Sequence, residues 1–157
     1  MAGHDRMTVE GRRFFEQIEE LKKLQVRVGI QAGEAQSDEG VDILDIAVWN
    51  EVGTDTIPAR PFMRQSADGN KAAIEKMCKA QLQKVAQGET AENALKNIGN
   101  MQVGFIQDTI TKSKTWAEPN AESTKKKKKK GSDVPLVDTS RMQQSVHFVI
   151  TPKGGGD

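Results

Sequence analysis

The chain has 157 residues, enough for one domain with a modest core. Apolar residues make up 36% of it and aromatic residues only 4%, which is low for a compact enzyme and fits a small domain that has long exposed segments or completes its core against neighbours. The net charge is +1, and the one cysteine, Cys78, excludes an intramolecular disulfide and a cysteine-based zinc cluster.

The positive charge is concentrated in one run of six lysines: Lys125, Lys126, Lys127, Lys128, Lys129 and Lys130. This run alone exceeds the net charge, so the rest of the chain is net acidic. It lies in a long polar connection, predicted as a loop over residues 117–135. Two interpretations stay open: a solvated loop, or an electrostatic role towards DNA or an acidic partner. No aromatic residue interleaves with the lysines, so base stacking is unsupported.

The sequence predicts a soluble protein made in the cytoplasm. The N-terminal residues are polar and lack the apolar core of a signal peptide. The longest apolar run, Ile46–Trp49, is far too short to span a bilayer, so no membrane partner is expected. We expect a disordered N-terminus over residues 1–7, one domain over residues 8–151 and a flexible tail over residues 152–157.

Apolar periodicity in the first half of the chain predicts helices and strands in alternation. The predicted elements are a helix over Thr8–Lys23, a strand over Val26–Ile30, a helix over Val41–Val52, an irregular segment over Gly53–Pro61 and a short strand over Phe62–Arg64.

The second half is dominated by two helical patterns. The first covers Asn70–Gln87 and is followed by Gly88 as a stop; the second begins near Thr90 and ends before Trp116. The apolar stripe of the first pattern is predicted to be buried: Ile74, Met77, Cys78, Leu82 and Val85. A short helix from an N-cap at Asp138 to about Gln144 and a strand over Val146–Ile150 complete the chain. The expected fold class is α+β, a small and mostly antiparallel sheet packed by one or two long helices, with long loops.

Residue types that support catalysis are scattered. His4 and His147 lie at opposite ends of the chain and are interpreted as surface residues rather than as a metal ligand or a base. Cys78, within an apolar stripe, is expected to be an inert core residue rather than a nucleophile. An acidic cluster is interpreted as a solvated face, with a divalent metal as the alternative; it comprises Asp38, Glu39, Asp42 and Asp45. The sequence therefore predicts no enzyme, no cofactor and no metal.

Two consecutive segments carry a more specific pattern, AVWNEVGT at residues 47–54 and IPARPFMR at residues 57–64. Gly53 permits a turn after the helix, and the prolines hold the following segment extended. The arginines carry forked donors suited to carboxylates of a neighbouring subunit or to phosphate. Phe62 either enters the core of its own subunit or belongs to a loop that also lies at a subunit interface. The candidate interface residues are Asn50, Glu51, Arg60, Pro61, Phe62 and Arg64.

A second, looser pattern runs through Trp116, Pro119, Thr124 and the lysines into PLVDT at residues 135–139, and ends at Ser145 and Val146. Together the two patterns, within residues 24–150, resemble the neck and tail-completion (head–tail joining) family of tailed bacteriophages, which is similar to the virion morphogenesis protein of phage Mu. Ser140 stands where the family usually has Gly, and Met142 where it usually has Leu.

The resemblance implies a structural virion protein rather than an enzyme. It implies a homo-oligomeric ring, expected to have six subunits, in the virion neck, with synthesis in the bacterial host cytoplasm. The expected partners are a head-side connector or stopper ring, a tail tube or tail terminator, and genomic DNA passing through the lumen. Tail completion is favoured over stopper and tail-terminator roles. The alternative is a sequence-nonspecific nucleic-acid-binding module that acts through the lysine run; a small hydrolase would need a catalytic constellation, and none is visible in the sequence.

Overall fold

A computed structural model describes residues 7–127, 134–136 and 140–154. The helices and strands in this part of the chain are α1 (Val9–Lys23), β1 (Leu24–Gly29), α2 (Ile43–Val52), α3 (Phe62–Gly69), α4 (Lys71–Ala86), α5 (Ala91–Thr111), α6 (Glu122–Lys127), α7 (Arg141–Gln144) and β2 (His147–Pro152). A 3-10 turn, Ser113–Thr115, follows α5. The predicted α+β class is confirmed, with a two-stranded antiparallel sheet packed against the long helix α5.

Side-chain caps fix where three helices begin. The Thr8 hydroxyl accepts the backbone N–H of Gly11 at 3.1 Å. The Asp42 carboxylate accepts from Leu44 N–H at 2.9 Å, and the Thr90 hydroxyl accepts from Asn93 N–H at 3.2 Å. Each cap satisfies a backbone donor that the first helical turn leaves free. The helices α1, α2 and α5 therefore start close to the positions that the sequence predicts.

The sheet lies on one side of α5. Its strands pair from Leu24 opposite Pro152 to Gly29 opposite His147. Phe148 of β2 packs onto Gly99 of α5, where an added Cβ atom would lie 2.5 Å from the ring. Only glycine allows this close approach between strand and helix.

The main hydrophobic core surrounds the C-terminal half of α5. Phe62 and Ile110 are its most deeply buried large side chains, with 1% and 0% of their surface exposed. The buried cluster comprises Ile43, Ala47, Phe62, Ile106, Ile110, Leu136, Met142 and Val146. This core ties together α2, α3, α5 and α7.

The N-terminal half of α5 packs against α1 and α4 through smaller and more polar contacts. The side chain of Gln17 in α1 accepts the N–H of Ala91 at 2.8 Å. The side chains of Asn97 in α5 and Gln81 in α4 share a hydrogen bond of 2.9 Å, and Gln81 is buried. Val85 is the fully buried apolar residue of α4.

The predicted strand over Phe62–Arg64 is wrong, because these residues begin the helix α3. Pro61 stands at the N-cap, where its missing N–H costs nothing. The Glu51 carboxylate accepts the N–H groups of Met63 and Arg64, which compensates the start of the helix. The secondary structure of a short apolar run cannot be told from periodicity alone. The carboxylate that caps this helix, Glu51, lies 12 residues before Met63 in the sequence.

The predicted burial of the α4 stripe is also wrong at two positions. Cys78 is exposed, and 50% of the Leu82 surface is exposed. Ile74 and Met77 are half-buried, and Val85 is buried. The stripe is wider than the surface that α5 covers, and the polar Gln81 occupies a buried position instead. The expectation that Cys78 is a core residue is therefore corrected.

The polar connection over residues 117–135 contains a helix, α6, where the sequence predicts only a loop. Its residues 128–133 lie outside the described residues, as do the predicted N-cap Asp138 and the ends at residues 1–6 and 155–157. The final strand continues to Pro152, two residues further than predicted.

Candidate intersubunit surfaces

The first motif folds as one hydrogen-bonded unit that joins α2 to α3. Glu51, near the end of α2, accepts from Met63 N–H at 2.9 Å and from Arg64 N–H at 3.2 Å. A carboxylate at a helix N-terminus also interacts favourably with the helix dipole. Glu51 therefore serves as the missing cap of α3 and fixes the angle between the two helices.

Gly53 and Thr54 shape the turn between these helices. Gly53 has φ 78°, and an added Cβ atom would lie 2.9 Å from the backbone nitrogen of Ala59. The Thr54 hydroxyl accepts from the N–H of Ile57 at 3.0 Å, and Thr54 N–H donates back to Ile57 C=O at 2.8 Å. The pattern from Gly53 to Ile57 is thus explained by the geometry of a single closed turn.

Arg60 is directed into its own subunit. Its Nε donates to the C=O of Glu118 at 2.8 Å and its Nη2 to the C=O of Pro119 at 3.2 Å. Burial lowers the pKa of the guanidinium, and the nearby Glu118 carboxylate opposes this change. Arg60 therefore fastens the segment after α5 to the first motif, which links the two sequence patterns in space.

The other predicted interface residues divide into inner and outer positions. Phe62 lies in the core, and the Asn50 side chain donates to the C=O of Ile46 at 2.8 Å. Pro61 is half-buried and Arg64 is exposed. The side chains of Phe62 and Arg60 are committed within the subunit, so among the six candidates Arg64 is the most available to a neighbour; the interface role itself stays a prediction.

The outer side of α2 forms an apolar ridge that sequence reasoning missed. Val48, Trp49 and Val52 are exposed, with 47%, 40% and 68% of their surfaces free. Asp45 is exposed on the same side, so these four residues, here named the α2 ridge, stand at positions i, i+3, i+4 and i+7. The sequence held a signal for it: seven of the ten residues of α2 are apolar, more than one side of the helix needs for the core.

A groove lies between α1 and α4 at the other end of the subunit. Its lining residues, here named the α1–α4 groove, are Phe14, Lys79, Leu82, Gln83 and Ala86. The exposed Phe15 stacks edge-on against Phe14, with ring centroids 5.7 Å apart. Phe14, Leu82 and Ala86 make the lining of the groove mostly apolar, and Lys79 is the charged residue among the five described lining residues.

The lysine run is only partly described. Lys125 lies in α6 and pairs with the exposed Glu122 at 2.7 Å. The structure places the backbone of Lys126 and Lys127 in the same helix, while Lys128, Lys129 and Lys130 lie outside the described residues. Both interpretations of the run, solvated segment and electrostatic contact, stay predictions.

The described histidine and the acidic cluster have separate partners on the surface. His147 Nε2 is 3.2 Å from the Glu34 carboxylate on the surface, and His4 is outside the described residues. Asp42 accepts from Gly33 N–H and Leu44 N–H, while Asp38 pairs with Arg141. Within the described ranges, no three metal-binding side chains gather and no helix is long and apolar enough to cross a membrane.

Ser140 marks a strained backbone position in the second motif. It has φ 61° and ψ 9° in the left-handed region, immediately before α7. Glycine adopts a positive φ without strain, so serine is a costlier residue than the family's usual glycine at this position. Arg141 donates to the C=O of Gln36 and to Asp38, which holds the turn in place.

Comparison of the chain with protein-family models, with known proteins and with solved structures gave no match. The resemblance to phage neck proteins therefore depends on the motif residues alone.

Proposed function

We propose that this protein is a structural subunit of a tailed-phage neck, which forms a ring between the DNA-filled head and the tail. Tail completion is the role we favour. The proposal combines the resemblance of the two motifs with the way in which the chain uses them. The observation that carries it is that the motif residues fasten α2 to α3 by hydrogen bonds and a close turn, while the outer side of α2 exposes apolar residues to solvent.

The internal contacts favour a structural use of the motifs over a catalytic one. Glu51 caps α3 and Arg60 binds two carbonyl groups, so both charged side chains are occupied by backbone partners. Exposed apolar patches on small proteins commonly mark surfaces that contact other proteins. A rigid unit that presents such a patch suits a subunit whose work is to dock.

Passage of DNA is compatible with the charge distribution. Apart from the lysine run, the chain is net acidic. A lumen lined by acidic side chains would repel the phosphate backbone and let DNA slide. The lysines, at one place in the sequence, would contact either DNA or an acidic partner ring.

Disruption of the reading frame in the encoding phage tests the proposal. We expect DNA-filled heads and complete tails that remain separate, and we expect purified protein to restore joining in extracts. Joined particles in the mutant would overturn the proposal. If the protein were instead a nucleic-acid-binding module, purified protein would bind duplex DNA with an affinity that falls steeply with salt.

A further inference from the structure

The α2 ridge and the α1–α4 groove are complementary in form. The ridge is one side of a helix, with Trp49 at its middle and Val48 and Val52 beside it. The groove runs between two helices, and Phe14 and Leu82 belong to its lining. An amphipathic helix that lays its apolar side into a hydrophobic groove is a recurrent mode of recognition, and tryptophan is enriched among the residues that dominate binding.

The charges of α2 and α4 are also complementary. Among its ten residues, α2 has two acidic side chains, Asp45 and Glu51, and no lysine or arginine. In contrast, α4 has a single acidic residue, Glu75, and four lysines: Lys71, Lys76, Lys79 and Lys84. Asp45 belongs to the ridge and Lys79 to the groove. Opposite charges at matching places would steer the two surfaces together and fix their orientation.

The two surfaces lie at opposite ends of one subunit. The α2 helix packs near Ile106 and Ile110, whereas α1 and α4 pack near Ala91 and Asn97. Because α5 has 21 residues, its ends are separated by about 31 Å. A chain therefore does not fill its own groove. A two-fold contact of ridge with ridge would leave Asp45 without a cationic partner on the other helix, since α2 has no lysine or arginine.

We propose that the α2 ridge of one copy docks in the α1–α4 groove of the next copy of the same chain. This head-to-tail contact rests on the ring function proposed above and names its interface. Contacts of this kind form closed rings when the rotation between copies closes. Trp49 fills the groove between Phe14 and Leu82, and Asp45 pairs with Lys79.

Disulfide trapping in the full chain tests the contact, with Cys78 as a built-in probe. Cys78 is exposed and one helical turn from Leu82 on the same side of α4. We expect concentrated Val48→Cys protein, when oxidised, to form a ladder of covalent multimers. Peptide mapping should show residue 48 joined to Cys78. The ladder should disappear when Cys78→Ser is added, and Val9→Cys, on another side of α1, should give none.

Charge reversal provides a second, independent readout. Asp45→Lys or Lys79→Asp should each weaken self-association about tenfold, and the double variant should recover to within about threefold of the original affinity. Trp49→Ser should weaken association at least as much, whereas Val9→Ser, which also removes an exposed apolar side chain, should not. As a control, the melting temperature of each variant is compared with that of the original chain, to check that the fold is retained.

The outcomes separate this inference from the proposed function. A ring in virion necks together with a disulfide between residue 48 and Cys78 supports both. A ring in necks without that disulfide in the concentrated protein, or without recovery in the double variant, overturns the head-to-tail contact and leaves the neck function standing. Necks without a ring of this chain overturn both.

Discussion

The two halves of α5 pack in different ways. Its C-terminal half lies in a core of large apolar side chains, among them Phe62, Ile106 and Ile110. Its N-terminal half meets α1 and α4 through Gln17 and Gln81, and Leu82 nearby stays in solvent. The core of one half is thus complete within the subunit, whereas the other half is held by smaller and more polar contacts. Both halves leave apolar surface exposed, the α2 ridge beside the first and Phe15 and Leu82 beside the second.

Phe62→Ala should destabilise the hydrophobic core around the C-terminal half of α5. Phe62 is 1% exposed in the centre of the core, so its loss should reduce the free energy of unfolding by about 3–5 kcal/mol. Phe15→Ala is the control, because this ring is exposed near the groove and its removal should cost about 1 kcal/mol or less. Urea unfolding measures both, and equal losses would contradict the division of α5 into two unlike halves.

Gly99→Ala tests the contact of the sheet with the middle of α5. The new methyl group would lie 2.5 Å from the Phe148 ring, so we expect a loss of about 1–3 kcal/mol. Gly104→Ala is the matched control on the same helix, since nothing lies within 4 Å of its Cβ position. It should stabilise the protein by about 0.5–1 kcal/mol, because alanine favours the helix. A stabilised Gly99→Ala variant would mean that β2 packs elsewhere.

Glu51→Ala tests the link between α2 and α3. It removes the acceptor of two backbone N–H groups at the start of α3, so we expect a loss of about 0.5–2 kcal/mol. Glu75→Ala, an exposed acid on α4, should change stability by no more than about 0.5 kcal/mol. Hydrogen exchange should locate the effect: faster exchange in α3 is expected, and unchanged exchange there would contradict the capping role.

Ser140→Gly should stabilise the chain. Ser140 adopts φ 61°, which glycine reaches without strain, so a gain of about 0.5–1 kcal/mol is expected. Ser145→Gly is the opposite control, because Ser145 has φ −82° and its hydroxyl donates to Arg141 C=O. Glycine at 145 should therefore destabilise, and a melting temperature that moves in the same direction for both variants would refute the strain at Ser140.

Replacement of Lys125–Lys130 by serine should have the smallest effect on stability. Lys125 makes an exposed ion pair with Glu122, and such pairs contribute about 1 kcal/mol or less. If the run contacts DNA or an acidic ring, the yield of infectious particles should fall while the melting temperature stays the same. Unchanged yield would favour the solvated segment, and a large fall in melting temperature would show that the run belongs to the core.

The sequence predicts local features of this fold better than long-range ones. Thr8 and Thr90 act within one helical turn, so the starts of α1 and α5 could be read directly from their neighbours. The start of α3 depends on Glu51, 12 residues earlier, and that pairing has no periodic signature. Burial along α4 depends on how much of its stripe α5 covers, which explains the wrong expectation for Leu82.

In the candidate site, too, the sequence predicted local features and missed long-range contacts. The turn at Gly53 was predicted, and the core of its own subunit was one of the two places predicted for Phe62, because a turn and a large apolar side chain can be recognised locally. The carbonyl partners of Arg60 lie 58 and 59 residues away, so the sequence could not show that it turns inwards. The α2 ridge was missed because the sequence does not show which side of α2 packs against the core and which side stays exposed.

The direct test is imaging of the neck in intact virions of the encoding phage at a resolution that traces helices. We expect a closed ring of this chain between the head connector and the tail, with six copies and with DNA or its path along the axis. A monomer, a two-fold dimer or the absence of this chain from the neck would contradict the proposed function.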